Sequence, residues 1–395
     1  MNSPTRHAVL VGCVALLLVT AGCSSETTTT ETTAPTTGAT TQSTTSTTTD
    51  TTTSATTTGT WSPNVSAEQY PPGVAANGTL VNVSGLLDAH FAAVANESMV
   101  ITQRWTNPNE TVVRSYARGA SRTPYYSTFE RTTDDRRVTA EFYETDARGY
   151  SRAVVNGETH YGVVQDSLTN TRAWTNDDAF GPGSALHLLL AGGNYSVNGT
   201  VERGGRTFVQ FTADETSPAN GLYDAYEGTV LVTPDGVVHD IDATTTADSD
   251  GATVRTEHSI ALDTDAEWTG PPSWVADVPH LSLSIVADGH AVELRNTDGG
   301  ALPANTTLHV GASTDPVWGP NPPARAGDVA GTVTTNARLE PGEAVYVIAT
   351  ENGSSFSLHD DPVRGDYAFG FAGVSGTERN VTYRLVAGIK NATNG

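Results

Sequence analysis

Nine arginines crowd the stretch from Ile101 to Val155, in a 395-residue chain whose formal charge is −23. Only seven acidic residues share that stretch, so it is locally basic by two charges inside a strongly acidic protein. Guanidinium forks suit carboxylates and phosphates. Interleaved with them stand Trp105, Tyr126, Phe129, Phe142 and Tyr143, and the apolar run Leu186–Leu190 follows later. Two chemistries fit this pattern. One is cross-strand ion pairing on a solvent face, worth little per pair. The other is a ligand whose anionic group is held by arginine while its apolar part lies among the aromatics. The second reading assigns Arg104, Trp105, Arg114, Phe129, Phe142, Leu186 and Leu189 to a ligand site.

Other constellations fall short of chemistry. Gly373-Val374-Ser375-Gly376 lacks the spacing of a nucleophile elbow. The ten histidines are scattered, with no paired zinc-ligand spacing. His90 and His187 read as packing or surface residues, and His239-Asp240-x-Asp242 and His359-Asp360-Asp361 as solvated acidic segments. Thr246 to Glu257 places oxygen ligands at three positions of a calcium loop, with Gly251 at the sixth. Its first position is threonine and its flanks alternate like strands, so a hairpin turn is the better account. No acid, base and nucleophile set emerges, and the expectation is a non-enzymatic protein with no cofactor or metal.

One cysteine does carry chemistry. Leu10 to Cys23 (LVGCVALLLVTAGC) is an apolar run too short to span a bilayer, and it closes on Ala21-Gly22-Cys23. It resembles a lipobox, although Thr20 stands where leucine is usual. The resemblance implies a leader over residues 1–22 and a lipidated Cys23 at the mature start. Two acyl chains there suffice for stable anchoring. Cys13 leaves with the leader, so no disulfide is expected. Residues 24–60 form a threonine tract without apolar periodicity, expected to be a disordered stalk of about 30–35 Å as a flexible coil. Sequons at Asn77, Asn82, Asn109, Asn194, Asn198, Asn305, Asn352 and Asn380 are candidate N-glycosylation sites, as are those at Asn64, Asn96 and Asn391.

The elements that must position the arginine–aromatic stretch are mostly strands. Ser84 can cap a helix over residues 85–96, where Leu86, Leu87, Phe91 and Val94 follow a helical stripe. Six alternating segments between Met99 and Gln165, broken by turn residues, predict an antiparallel meander. A second helix is expected over Ser184–Ala191, and a third short one over Leu222–Glu227. A long hairpin follows, built around Pro234-Asp235-Gly236. Beyond His280 only short strands remain, with turns every ten or so residues, which favours a β-sandwich of immunoglobulin-like outline.

The opening helix (Leu86–Asn96) and the segment Gly228–Val238 (GTVLVTPDGVV) carry a resemblance. Over residues 62–270 the layout resembles the LolA-like carriers and the LppX/LprG lipoproteins of mycobacteria, whose half-barrel sheets hold helices and a lipid. The lipobox, threonine stalk, Tyr70-Pro71-Pro72-Gly73 turn and hairpin together resemble haloarchaeal surface lipoproteins. The acidic excess and the single lysine, Lys390, agree with that source, since molar salt relieves self-repulsion. The expected fold class is therefore α+β, a LolA-like domain over 61–278 followed by a sandwich over 279–395.

The sequence thus predicts a lipid-anchored protein on the extracellular face of the cell membrane, binding a lipid or other apolar ligand. The alternative is a structural or adhesive surface protein whose core is closed by its own side chains. Nucleic acid is excluded as a partner, because no basic footprint of the required size exists. The anchor is directly testable. Cys23→Ser should move the protein from the membrane fraction to the medium, and the native product's mass should exceed that of the chain from residue 23 by a lipid. An unmodified residue 23 refutes the anchor.

Overall fold

The computed structural model describes residues 70–121, 123–165, 182–218, 221–249, 251–318 and 327–390. The leader, Cys23, the stalk, Arg122, Asn64 and Asn391 lie outside the described residues. Residues 59–248 and 252–395 make up one unit of the chain, which carries every element below except the hairpin tip Ser249–Gly251.

Helix α1 (Val83–Ala93) starts two residues earlier than its apolar stripe suggests, because Asn82 and not Ser84 caps it. The Asn82 Oδ1 accepts the Gly85 N–H at 3.0 Å, satisfying one of the otherwise unpaired donors of the first turn. At the far end the buried Arg118 donates to the carbonyls of Val94 and Ala95, where a cation also complements the helix dipole. Between its caps α1 buries Leu86, Leu87 and His90.

The meander follows as expected: β1 (Met99–Asn107), β2 (Glu110–Arg118), β3 (Tyr125–Thr133), β4 (Arg137–Glu144), β5 (Gly149–Val155) and β6 (Glu158–Gln165). Each is antiparallel to the next. Then come α2 (Pro182–Gly192), β7 (Ser196–Arg203), β8 (Arg206–Ala213), β9 (Ala225–Val232), β10 (Val238–Ser249) and β11 (Ala252–Asp263). The helix expected over Leu222–Glu227 is absent. From Ala225 the chain is already in β9, where the alternating Tyr226, Gly228, Val230 and Val232 fill the core face, so period two overrides the helical reading. The turn at Gly236 requires glycine twice over: its φ is +99°, and an added Cβ would sit 2.9 Å from the Ala89 Cβ of α1.

A 3-10 turn over Ser273–Asp277 leads to β12 (Pro279–Val286) and β13 (Ala291–Gly299). Next are β14 (Thr307–Ser313), β15 (Val317–Trp318), β16 (Val329–Thr334), β17 (Ala344–Ala349) and β18 (Phe356–His359). The last are β19 (Phe371–Glu378), β20 (Val381–Ala387) and β21 (Ile389–Lys390). Among the described residues, two α-helices and a large, mostly antiparallel sheet make the fold strongly β-rich. Fifteen strands form that sheet in the order β16-β14-β19-β20-β6-β5-β4-β3-β2-β1-β11-β10-β9-β8-β7. A second sheet runs β12-β13-β17-β18, and β15 pairs with β21.

Two cores lie on opposite faces of the large sheet. On one face, Met99, Ile101, Ile241, Ile260 and Val230 pack beneath α1 and α2. On the other, Tyr143, Tyr150, Val163, Tyr383 and Val310 pack against Leu281, Leu283, Val292 and Val347 of the second sheet. Past residue 279 the strands divide between the second sheet and the continuation of the large sheet, whose side chains pack together. Hydrogen bonding crosses the expected boundary, because β20 pairs in parallel with β6, Tyr161 opposite Val381. The Gln165 side chain adds a second tie by donating to the Leu283 carbonyl at 3.1 Å and accepting the Leu283 N–H.

His90 sits wholly inside the helix-covered core. Its Nδ1 accepts the Val238 N–H at 3.2 Å, which leaves the proton on Nε2. Burial, with His239 nearby, lowers its pKa to about 4, and burial lowers that of His258 to about 4 as well. Between pH 6.5 and 4 the unfolded chain therefore binds more protons than the folded one. The contribution of His90, about 3 kcal/mol, is complete above pH 6.5 and lost as pH falls toward 4. Unfolding midpoints at fixed salt should fall across that interval, and His90→Gln, which keeps an acceptor without titrating, should flatten the fall.

Candidate functional site

Strand alternation decides which of the sequence-derived site residues meet. Register pairs Trp105 with Val112, Arg114 with Phe129, and Ser127 with Phe142. Trp105, Arg114, Phe129 and Phe142 thus share the face that carries α1 and α2 further along the sheet. The Arg114 guanidinium carbon lies 5.2 Å from the Trp105 ring centroid and 5.3 Å from that of Phe129. A cation between two aromatic faces is held electrostatically as well as by contact. All four residues are half-buried, and so are Val138, Ala140, Ala153, Val155 and Val164 beside them. This part of the face is a largely apolar floor with the Arg114 guanidinium set into it, and at its edge Arg131, paired with Glu110, stands between Val112 and Val138.

Three of the expected residues are elsewhere. Leu186 and Leu189 belong to the closed core, 1% and 4% exposed, against α1 and the sheet. Leu86, Leu87 and Leu190 are equally buried, so these leucines pack the helices against the sheet. Their carbonyl side is locked too: the Tyr195 hydroxyl lies 2.7 Å from that of Tyr226, which donates to the Leu189 carbonyl at 2.8 Å. Arg104 precedes Trp105 and therefore projects from the opposite face. A period of two separates neighbours in sequence as surely as distance does.

The remaining arginines divide between pairing and packing. Arg131 pairs with Glu110 at 2.6 Å, Arg137 with Glu130 at 2.9 Å, and Arg152 with the directly opposed Glu141 at 2.9 Å. Cross-strand ion pairing therefore accounts for three of them. Glu141 does more than pair. It also accepts from the Tyr126 hydroxyl at 2.9 Å and the Trp274 indole N–H at 2.6 Å, joining β3, β5 and the 3-10 turn. Burial and this carboxylate raise the Tyr126 pKa.

The face from which Arg104 projects holds a groove of about 740 Å³ across β1, β11, β10, β9 and β8. Its charged lining is Arg104, Arg255, Asp214, Glu227, Asp242 and Glu257. Sequence reasoning missed it. The signal was available as polar residues at alternate positions of β10 and β11 (Asp242, Thr244; Arg255, Glu257, Ser259), but the concavity that gathers them is not written in any one strand. Among the described residues, no three acidic, histidine or cysteine side chains are gathered closely enough to hold a metal ion. Thr246 and Glu257 fall on the β10–β11 hairpin. All eight named sequon asparagines are exposed.

No family model matches the sequence, and no curated protein does. Among solved structures the chain is similar to MucB in complex with the periplasmic part of MucA, at 12% identity over 75% of this chain and 89% of that one, with a TM-score of 0.20. The MucA/MucB complex of Pseudomonas aeruginosa gives 15% identity over 69% and 91%, TM-score 0.20. A DUF1329 family protein from Desulfovibrio piger gives 10% identity over 49% and 95%, TM-score 0.17. These are remote likenesses.

Because Glu141 is the shared acceptor of three donors, its loss leaves each of them without that partner. Glu141→Ala should lower stability by about 2–4 kcal/mol in denaturant unfolding, and Glu141→Gln by less. Equal and negligible losses would remove Glu141 from this role.

Proposed function

We propose that this protein is a lipid-anchored, extracytoplasmic binding module without catalytic activity, and that its ligand is an amphiphile with an anionic group. The first part of the chain serves as a LolA-like scaffold and the last part as a sandwich-like support. The ligand lies on the open apolar floor of β1–β4, its charge at Arg114 and its apolar part along Trp105, Phe129 and Phe142. The observation that carries the reading is the Arg114 guanidinium set between two aromatic rings on a half-buried apolar surface. Apolar walls with a few polar anchors are the usual composition of such sites. The seven-residue set derived from sequence contracts to four.

A second reading has its own support. The closed packing of Leu186, Leu189 and Leu190 beneath the helices suits a structural or adhesive surface protein that holds no ligand. One experiment separates the two. The chain carrying Cys23→Ser, which removes the anchor, is purified in high salt, examined by native mass spectrometry for copurifying lipid and titrated with vesicles containing an anionic phospholipid. Binding that falls at least tenfold in Trp105→Ala and Arg114→Gln supports the amphiphile site. Neither copurifying lipid nor vesicle binding leaves the structural reading in its place.

A further inference from the structure

The groove on the opposite face is built differently and asks for a different ligand. Its floor is made by alternate residues of five neighbouring strands, spaced about 4.8 Å across strands and about 6.8 Å along them. Carboxylates (Asp214, Glu227, Asp242, Glu257) and guanidiniums (Arg104, Arg255) share it with the hydroxyls of Thr212, Thr229 and Thr244. Charges of both signs face one concavity, yet among the described residues neither arginine is engaged in an ion pair or hydrogen bond. The charged side chains are exposed and the threonines half-buried. Hydrogen-bond donors and acceptors therefore stand ready in a grid, and apart from His258, Ala213, Ala243 and Gly228 the lining is polar or charged. A lipid finds little apolar surface there, and among the described residues no ligand set for a metal ion is gathered. A neutral, polyhydroxylated molecule satisfies both signs at once, because each hydroxyl both donates to a carboxylate and accepts from a guanidinium.

A second observation points the same way. Ser196, at the start of β7, lines the groove, and the sequons at Asn194 and Asn198 lie on either side of it. Strand β7 carries a bulge: Val197 opposes Phe211 and Gly199 opposes Gln210, leaving Asn198 as the extra residue. Asn198 is exposed and lies two residues along β7 from Ser196. A glycan attached at Asn198 would start within two residues of the groove's lining.

We propose that this groove is a glycan-binding site, filled either by the chain's own N-linked glycan at Asn198 or by a glycan presented by a neighbouring surface molecule. The site is independent of the amphiphile floor, from which the thickness of the sheet separates it.

The test uses the full chain from a host that glycosylates it, at high salt. Glycopeptide mass spectrometry determines whether Asn198 is modified. An array of neutral and uronate-containing oligosaccharides is then applied to the wild type, Asn198→Gln, Asp242→Asn and Arg104→Gln, with unfolding midpoints confirming that each variant is folded. A glycan from a neighbour predicts binding by the wild type that weakens at least tenfold in Asp242→Asn and Arg104→Gln. An internal glycan predicts a modified Asn198, faster hydrogen exchange across β9 and β10 in Asn198→Gln, and array binding only after that substitution. If no oligosaccharide binds any form, and Asn198 is bare or its replacement leaves exchange unchanged, the groove is a solvated sheet face and the proposal fails.

Discussion

The parallel pairing of β6 with β20 is the constraint on which the rest of the structure depends. It inserts the last long strand of the chain beside the end of the opening meander, Tyr383 opposite Val163 and Leu385 opposite Gln165. Both central partners are buried, Val163 at 0% and Tyr383 at 1% exposure, so the seam is a packed surface as well as a hydrogen-bonded one. From it the second core grows, because β20 brings β19, β14 and β16 into line as one wall of that core. The Gln165 amide pairs with both backbone groups of Leu283 and so substitutes for a peptide unit between the two sheets. Without the seam, Tyr143, Tyr150 and Val163 would present an uncovered apolar face to water.

One sheet with two differently furnished faces follows from that arrangement. Strand β1 shows it in a single dipeptide: Trp105 joins an apolar floor on one side, and Arg104 joins a polar groove on the other. Among the described residues, the helix-covered core on the first face takes in β1, β7–β11 and, at Tyr116 and Tyr125, part of β2 and β3, while the second sheet packs on the other face over the opposite wing. Among the described residues, the apolar floor and the polar groove are left uncovered. Each stands on hydrogen-bonded strands, and such elements hold binding groups in place better than loops.

Much of this was legible from residue pattern. The meander and most later strands follow the period of two, and α1 and α2 lie where leucines recur at helical spacing. What escaped was non-local. Asn82 caps α1 in place of Ser84 because the turn before the helix sets the entry. Leu222–Glu227 looked helical over one short window and was claimed by β9. The partner of β6 could not be read at all, because pairing across more than two hundred residues leaves no mark in local sequence. The candidate site fared similarly. Trp105, Arg114, Phe129 and Phe142 were recoverable from type and alternation. Arg104 needed its face assigned, and Leu186 and Leu189 needed the knowledge that α2 packs shut against the sheet.

The seam also dictates an order of events. Tyr161 must wait for Val381 to be synthesised and delivered before their strands can join. Until then β6 presents a bare edge, and bare edges recruit stray strands. Contacts of such long range also make folding slow. A chain built this way gains from whatever keeps nascent copies apart in the interval, and its acidic surplus, which lies mostly after the meander, supplies mutual repulsion as the later strands are made.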